Sequence, residues 1–318
     1  MAKYKQIDLT RVRTIPIGTR KSKVTPRDFA LVYNPRTQSF NQFIASLPRI
    51  LVAEDLRRVV DDVVRARKRR KPVILMMGAH VIKVGLSPLI IDLVKKNVVT
   101  AVSMNGAGAI HDVETAMWGK TSEDVAEHLV DGRFGMSRET GEFINRALAR
   151  GIVNADGGFG EAVASELVRR KAKNIGLSIL AACYRKDVPV TVHAAIGTDI
   201  VHQQPSMNGA ITGEMTFRDF KVLCNVVKDL GNGGVVLHVG SAVVLPEVFL
   251  KALTVARNIR HAVRNFTTVN FDMLRQYRPS MNVVQRPTQH DGKGYNITGH
   301  HEIMVPLLCA MVNARLRA

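Results

Sequence analysis

The chain has 318 residues, 46% of them hydrophobic, with 45 Lys+Arg against 27 Asp+Glu for a formal charge of +18. It is long enough for a sizeable core and too apolar to be a disordered chain. Its apolar runs are broken by charge short of the roughly 18 residues of a membrane span, and its basic N-terminus lacks an apolar h-region, so neither a span nor a secretory signal is expected.

Residues 1–28 carry Lys3, Lys5, Arg11, Arg13, Arg20, Lys21, Lys23 and Arg27 against Asp8 alone. Residues 1–45 therefore read as a basic N-terminal extension, followed by a single domain over 46–318. A predicted helix from about Glu54 ends in Arg65-Ala-Arg-Lys-Arg-Arg-Lys71, where cations complement the helix dipole and form a solvated face. Short β-branched runs at 73–77, 98–104, 188–194, 234–239 and 266–271 predict buried strands. Between them Thr121 is expected to cap SEDVAEHL, and Ser137 to cap RETGEFINRALAR, which Gly151 ends. Further helices are expected at 161–173, 216–230 and 246–258, with a last one after Pro306. Strands separated by helices predict an α/β fold: a doubly wound, mostly parallel sheet with helices on both faces. Cys183, Cys224 and Cys309 are far apart in apolar contexts and read as reduced core thiols of a cytoplasmic protein.

An excess of +18 attracts nucleic acid, anionic lipid, nucleotides or an acidic substrate. Aromatic residues are too sparse for a base-stacking platform, so nucleic acid is a conceivable partner but not the favoured one. Polar and glycine residues gather where the predicted strands end. Strand 73–77 runs into Gly78-Ala-His80 and on to Gly85-Leu-Ser87-Pro88. Strand 98–104 runs into Asn105-Gly106-Ala-Gly108, and a third loop spans Asn154 to Gly160. Several such loops at one sheet edge favour a nucleotide pocket, because glycine lets backbone N–H groups approach a phosphate at a helix N-terminus. Histidines crowd the later loops: His193, His202, His290, His300 and His301. Adjacent histidines on extended chain point to opposite faces, and neither HExxH nor CxxC occurs, so no metal site is expected. No GxSxG nucleophile motif is present.

GAHVIKVGLSP, MNGAGAIHD, the Gly-Thr-Asp at 197–199, GGVVLHVGS and RPSMNVVQRP, in that order, resemble deoxyhypusine synthase over about residues 50 to 310. The resemblance implies a Rossmann-like fold, a homotetramer, and NAD as cofactor. Enzymes of that family oxidise spermidine and pass its aminobutyl group through their own lysine to a protein lysine, and a related branch makes homospermidine. On the cofactor side it implies His80, Asn105, Gly106, Gly108, His111, Asp112, Asp199, Gly240 and Ser241 as contacts. On the substrate side the family's aspartate falls on Gln204, its polyamine-binding glutamate on Met281, its tryptophan on Gln285 and its lysine on Pro287. Acids that hold a polycation are thus absent, while Arg278, Arg286, His300 and His301 populate the same region.

The leading expectation is an NAD-dependent enzyme with an altered, anionic or zwitterionic, small-molecule substrate. Gln204, Arg278, Arg286 and His301 would bind that substrate, and His202 or His300 would serve as base. A second reading is genuine aminobutyl transfer with Lys293 as nucleophile. A third is a non-catalytic scaffold that binds nucleic acid or a protein through the basic arm.

Overall fold

The computed structural model describes residues 3–153 and 157–317. The chain divides into two compact units, Met1–Glu54 and Asp55–Ala318. The first holds short 3₁₀ turns and the helix α1 (Phe40–Ser46), closed by a capping box between Ser39 and Gln42. The helix α2 (Leu51–Lys68) runs across the division.

The second unit is built on six strands: β1 (Val73–Met77), β2 (Ala101–Asn105), β3 (Val190–His193), β4 (Val235–Val239), β5 (Thr267–Asp272) and β6 (Lys293–Thr298). Every pairing is parallel and the order is β3-β2-β1-β4-β5-β6. The helices between them are α3 (His80–Lys83), α4 (Ser87–Lys95), α5 (Gly106–Trp118), α6 (Val125–Leu129), α7 (Arg138–Gly151), α8 (Phe159–Arg169), α9 (Ile179–Arg185), α10 (Gly209–Val227) and α11 (Val244–Asn258). The helix α12 (His301–Arg317) follows β6. The expected α/β, doubly wound parallel sheet is what forms.

Strands β1 (VILMM) and β4 (VVLHV) are buried at every position, as a strand covered on both faces must be. Ile74, Met76 and Val236 pack with Leu223 and Val227 of α10, with Leu245, Phe249 and Leu253 of α11, and with Phe266. Each such side chain contributes about 1.5–3 kcal/mol by leaving water. The order reverses between β1 and β4, so the carboxyl ends of these two strands flank the reversal point, where sheets of this kind have the crevice that binds ligands.

Several expectations change. The strand β6 (KGYNIT) is a polar, largely exposed edge strand that periodicity did not mark. Helix α6 is capped by Asp124, whose carboxylate accepts from the Glu127 amide, and not by Thr121. The last helix begins at His301, five residues before Pro306, which therefore lies inside it and leaves the Glu302 carbonyl without its usual amide partner. Residues 154–156 of the third glycine-bearing loop lie outside the described residues. Lys293 opens β6, and is therefore at the amino edge of the sheet, across from the crevice; its ammonium is paired with the buried Asp62 at 3.1 Å. A nucleophile cannot act from there, which removes Lys293 from the candidate catalytic set. Among the described residues no helix is long and apolar enough to cross a membrane.

Close packing of α8 on β3 depends on Gly160, where a Cβ would lie 2.1 Å from the Val190 carbonyl oxygen. Gly160→Ala is expected to destabilise by about 1–3 kcal/mol. Gly213→Ala, in α10 with open space around it, is expected to be neutral or stabilising by about 0.5–1 kcal/mol. Urea unfolding of both variants checks the pair, and equal effects would contradict this packing.

Candidate functional site

At the end of β1 the chain reaches Gly78, whose amide donates to the Val239 carbonyl at 2.9 Å. A Cβ here would stand 2.0 Å from the Gly240 carbonyl oxygen, so glycine is what allows β1 and β4 to stay this close beyond their last pair. On the β4 side Gly240 (φ +63°) donates to the Phe271 carbonyl, and a Cβ on it would strike the His301 ring at 2.7 Å. His301 is buried, and its Nε2–H donates to the Phe271 carbonyl at 3.2 Å. Its Nδ1 is then a buried acceptor with no partner among the described residues. The His80 ring lies 5.4 Å from that of His301. Burial pushes the His80 imidazole below its usual range, and neighbouring His301 adds to the shift. Ser241 uses its hydroxyl to accept the Leu245 amide at the start of α11. Beyond β1, Gly85 (φ +79°) has open space about it, and Ser87 Oγ at the start of α4 is buried without a partner among the described residues.

The Asn105–Asp112 segment is occupied from within. Asn105 Oδ1 accepts the Gly108 amide at 3.0 Å, and the Asp199 carboxylate accepts the Ala107 amide. A Cβ on Gly106 would stand 1.9 Å from Asp199 Oδ2. The N-terminus of α5 thus binds a carboxylate of this chain where a phosphate would otherwise sit. Burial pushes the Asp199 carboxyl up to about 6, only partly offset by that amide. His202 Nδ1 accepts from the amides of Gly197 and Asp199 at 3.2 and 3.3 Å, which places the imidazole proton on Nε2. That Nε2 is buried, has no hydrogen-bond partner among the described residues, and lies 3.8 Å from Asp199 Oδ2.

Beside Asp199 opens a cleft of about 850 Å³ between α5, the 120–140 segment and Thr198–Ile200. His111 Nδ1 meets Thr121 Oγ1 at 2.5 Å, and Thr121 donates onward to Glu114 Oε2 at 2.5 Å. Because the threonine has one proton to give, His111 must be the donor to it, leaving His111 Nε2 with the free lone pair. Thr140 donates to the other oxygen of Glu114 at 3.0 Å. Burial alone would raise Glu114, but the hydrogen bonds from His111, Thr121 and Thr140 outweigh it and hold the carboxyl below its ordinary value. Glu123 joins His128 at 2.8 Å and the Gly135 amide at 2.9 Å. Gln203 and Gln204 donate to the carbonyls of Phe134, Gly135 and Ser137 and fasten the far wall. Glu114, Glu123, Glu139 and Asp199 share this lining with Lys83, Lys120, His111 and His128, and Glu139 is paired with Arg138 at 3.0 Å.

The sequence-derived candidates are therefore divided. His80, Gly240, Ser241 and His301 meet at the crevice; His111 and Asp199 line the cleft. Asp112 is fully buried, and its carboxylate accepts from Ser178 Oγ and the amides of Ile179 and Leu180, capping α9. Burial raises it to about 6, with no open side for a cofactor. Gln204 is a wall fastener. The four side chains expected to gather around an anion do not line the cleft. Arg278 lies 3.4 Å from Glu247, Arg286 is bonded to Asn282, exposed His300 lies 3.7 Å from Glu302, and His301 is buried under Gly240. Sequence reasoning missed Glu114, Glu123 and Glu139. His111 and Glu114 at i,i+3 on a helix could have been found; Thr121, ten residues from His111, carried no signal.

No family model and no curated protein sequence matches the chain. Solved structures do share its fold. A candidate deoxyhypusine synthase from Entamoeba histolytica is similar at 9% identity and a TM-score of 0.53, over 89% of this chain and 96% of that one. A conserved LOR/SDH-type protein from Methanococcus maripaludis S2 is similar at 14% identity and 0.53, over 85% of this chain and 71% of its own. AgrE, in complex with ornithine and NAD+, is similar at 14% identity and 0.51 over 88% of this chain, which spans only 34% of AgrE's length. The shared fold is a distant relationship at these identities.

Asp199 gives a pH test. Its folded-state value near 6 exceeds the ordinary 3.8, so the folded state favours the neutral acid. That contribution is complete below about pH 4 and is lost as pH rises through about 6. Asp199→Asn is expected to be more stable than the parent above pH 6, by on the order of 1–3 kcal/mol, and to flatten the decline between pH 4 and 6. Unfolding across that range checks it; a variant less stable than the parent at every pH would contradict it.

Proposed function

We propose that the protein is an NAD-dependent enzyme acting on a small amine- or guanidine-bearing substrate, cationic or zwitterionic. The observation that carries the reading is the acid-lined cleft: four carboxylates against two lysines, in a chain of +18, adjoining the crevice at the sheet's reversal point. Positive groups entering a pocket must exchange hydration for carboxylate partners. AgrE holds L-arginine in one structure, and ornithine with NAD+ in another. Those ligands carry the chemistry that this cleft complements. The expectation of an anionic substrate loses its support, since none of its four residues lines the cleft. Aminobutyl transfer loses Lys293.

The crevice suits a dinucleotide. His301 Nδ1 is an unpaired buried acceptor and Ser87 Oγ an unpaired buried hydroxyl, and ribose hydroxyls or a carboxamide would satisfy both. His80, Gly85, Ser87, Gly240 and His301 would hold the cofactor. NAD, when bound, supplies the acceptor for a hydride. The chain's own groups do the rest. Glu123 and Glu139 attract and orient the ammonium. Removing hydride from a carbon bearing nitrogen requires the nitrogen lone pair, so a proton must first leave. Asp199, ionised above about pH 6, or His111 through Nε2, accepts it. Glu114 and Thr121 fix the imidazole in the accepting tautomer.

Calorimetry with NAD, and NADH formation with arginine, ornithine and spermidine, test this. Amine-dependent reduction is expected, with kcat/KM rising through about pH 6 as Asp199 ionises. Glu139→Gln is expected to raise KM about tenfold, equivalent to about 1.4 kcal/mol, without changing NAD affinity. Reduction supported by carboxylic acids lacking an amine, and not by amines, would sink the proposal.

A further inference from the structure

All six strands run the same way, so every segment that leads into a strand lies at one edge of the sheet, across from the cleft and crevice. These segments, 67–71, 95–97, 185–187, 228–229, 257–264 and 290–291, contain thirteen Lys and Arg against three Asp. They carry ten of the chain's net eighteen positive charges. At the opposite edge, the segments 78–86, 194–199, 240–243 and 273–278 contain three Lys and Arg against one Asp. The charge is polarised across the sheet. The run Arg67–Lys71 alone could be a helix end in water, but a common edge for four basic segments from separate parts of the sequence is not explained by any one helix dipole, whose effect fades within a turn.

Two clefts indent this edge. One, of about 410 Å³, lies where β1 and β2 begin and is lined by Arg67, Arg70 and Lys71. The other, of about 670 Å³, lies where β5 and β6 begin and is lined by Arg257, Arg260 and Arg264, with Asp291 as its one acid. Arg70 and Arg260 have φ of +55° and +69°. Both stand just beyond helix ends, in the left-handed conformation that glycine adopts without strain. Arginine at both positions accepts a conformational penalty and puts a guanidinium in each cleft. Among the described residues neither has a carboxylate within ion-pairing distance.

The two clefts are three strand spacings apart from centre to centre, roughly 14 Å at about 4.8 Å per strand. That is too wide for one small anion and close to the span across a groove of a nucleic-acid duplex, about 12 Å. The forked guanidinium binds phosphate oxygens in pairs. Base stacking is not available, because no aromatic side chain occurs in these segments. A lipid surface is less well matched, since it has no feature that would engage two indented clefts at a fixed separation. From this geometry we infer that the amino edge of the sheet is a backbone-reading site for duplex nucleic acid, independent of sequence and separate from the cofactor crevice.

The test uses the full chain and labelled duplex RNA and DNA, read by fluorescence anisotropy over about 50 to 200 mM salt. Binding is expected with a slope of log Kd on log salt of about 4 or more, near 0.9 per phosphate engaged. Arg70→Gly with Arg260→Gly, substitutions that relieve the backbone, is expected to weaken binding at least tenfold and to lower the slope by about 2. The melting temperature should stay unchanged or rise, and NAD binding should be unaffected. Gln at Arg20, Lys21 and Lys23 tests the N-terminal arm separately. Loss of binding in that variant, with none in the Arg70/Arg260 variant, would place the site on the arm and overturn the inference. So would absence of duplex binding at low salt, or binding to vesicles of equal parts phosphatidylserine and phosphatidylcholine without binding to duplex.

Discussion

Six strands in parallel register impose a direction on everything attached to them. Neighbouring parallel strands require a crossover connection each time, so the helix that follows a strand begins at the carboxyl edge of the sheet and the one that leads into the next strand ends at the amino edge. Helix starts, with their unsatisfied N–H groups, therefore collect at the carboxyl edge, and helix ends with their carbonyls at the amino edge. The first edge offers the crevice between Gly78 and Gly240, the buried Ser87 and His301, and the acid-lined cleft. The second accepts cations, which complement helix C-termini. One topological constraint thus separates a region with excess carboxylates from a region suited to anions, and it explains how the acid-lined cleft can exist in a chain of +18.

The glycine segment after β2 shows how local sequence and tertiary context can part. A strand, two glycines and a helix start form a ready anion site, and an anion is indeed there. It is the Asp199 carboxylate, seated against Gly106 and bound by the Ala107 amide. One backbone donor does not repay the loss of solvation, so burial prevails and the carboxyl rises to about 6. A phosphate approaching this helix would have to displace a covalently tethered rival. The dinucleotide reading accordingly moves to the neighbouring strand ends, where the buried polar atoms lack partners.

Much of the fold was legible because parallel strands buried on both faces are continuous apolar runs: VILMM and GVVLHV could be read directly. Strand β6 was not, because an edge strand with one exposed face tolerates Lys293, Gly294 and Asn296, and its pairing with β5 comes from backbone bonds that leave no residue pattern. The site was half legible. Gly78, His80, Gly240 and Asp199 stand at strand ends and were marked by position and resemblance. The carboxylates of the cleft were not, because they come from an excursion between α5 and α7 whose folding depends on Gln203, Gln204 and Glu123 reaching distant backbone groups. Lys293 was misplaced because proximity in sequence to Arg286 and His300 says nothing about which edge of a strand a residue occupies.

Buried carboxylates recur through this unit, and their partners distinguish structure from chemistry. Asp112 receives a hydroxyl and two amides from the start of α9, and fixes that helix to α5. Asp219 receives the amides of Gly160 and Val192 on one oxygen, tying α10 to α8 and β3, and burial raises it to about 8. Glu166 gathers Arg150, Arg169 and Arg170, whose hydrogen bonds overcome its burial and hold it low. None of these lines the cleft beside Asp199. Asp199 is raised like the first two, but it lines the cleft and faces a histidine nitrogen that has no other partner. A carboxyl that is buried, under-bonded and still reachable lowers the stability of the folded state wherever it must ionise, and the proposed role in accepting a substrate's proton would offset that cost. The strength of the Asp199 assignment lies in that combination, which a raised value alone could not supply.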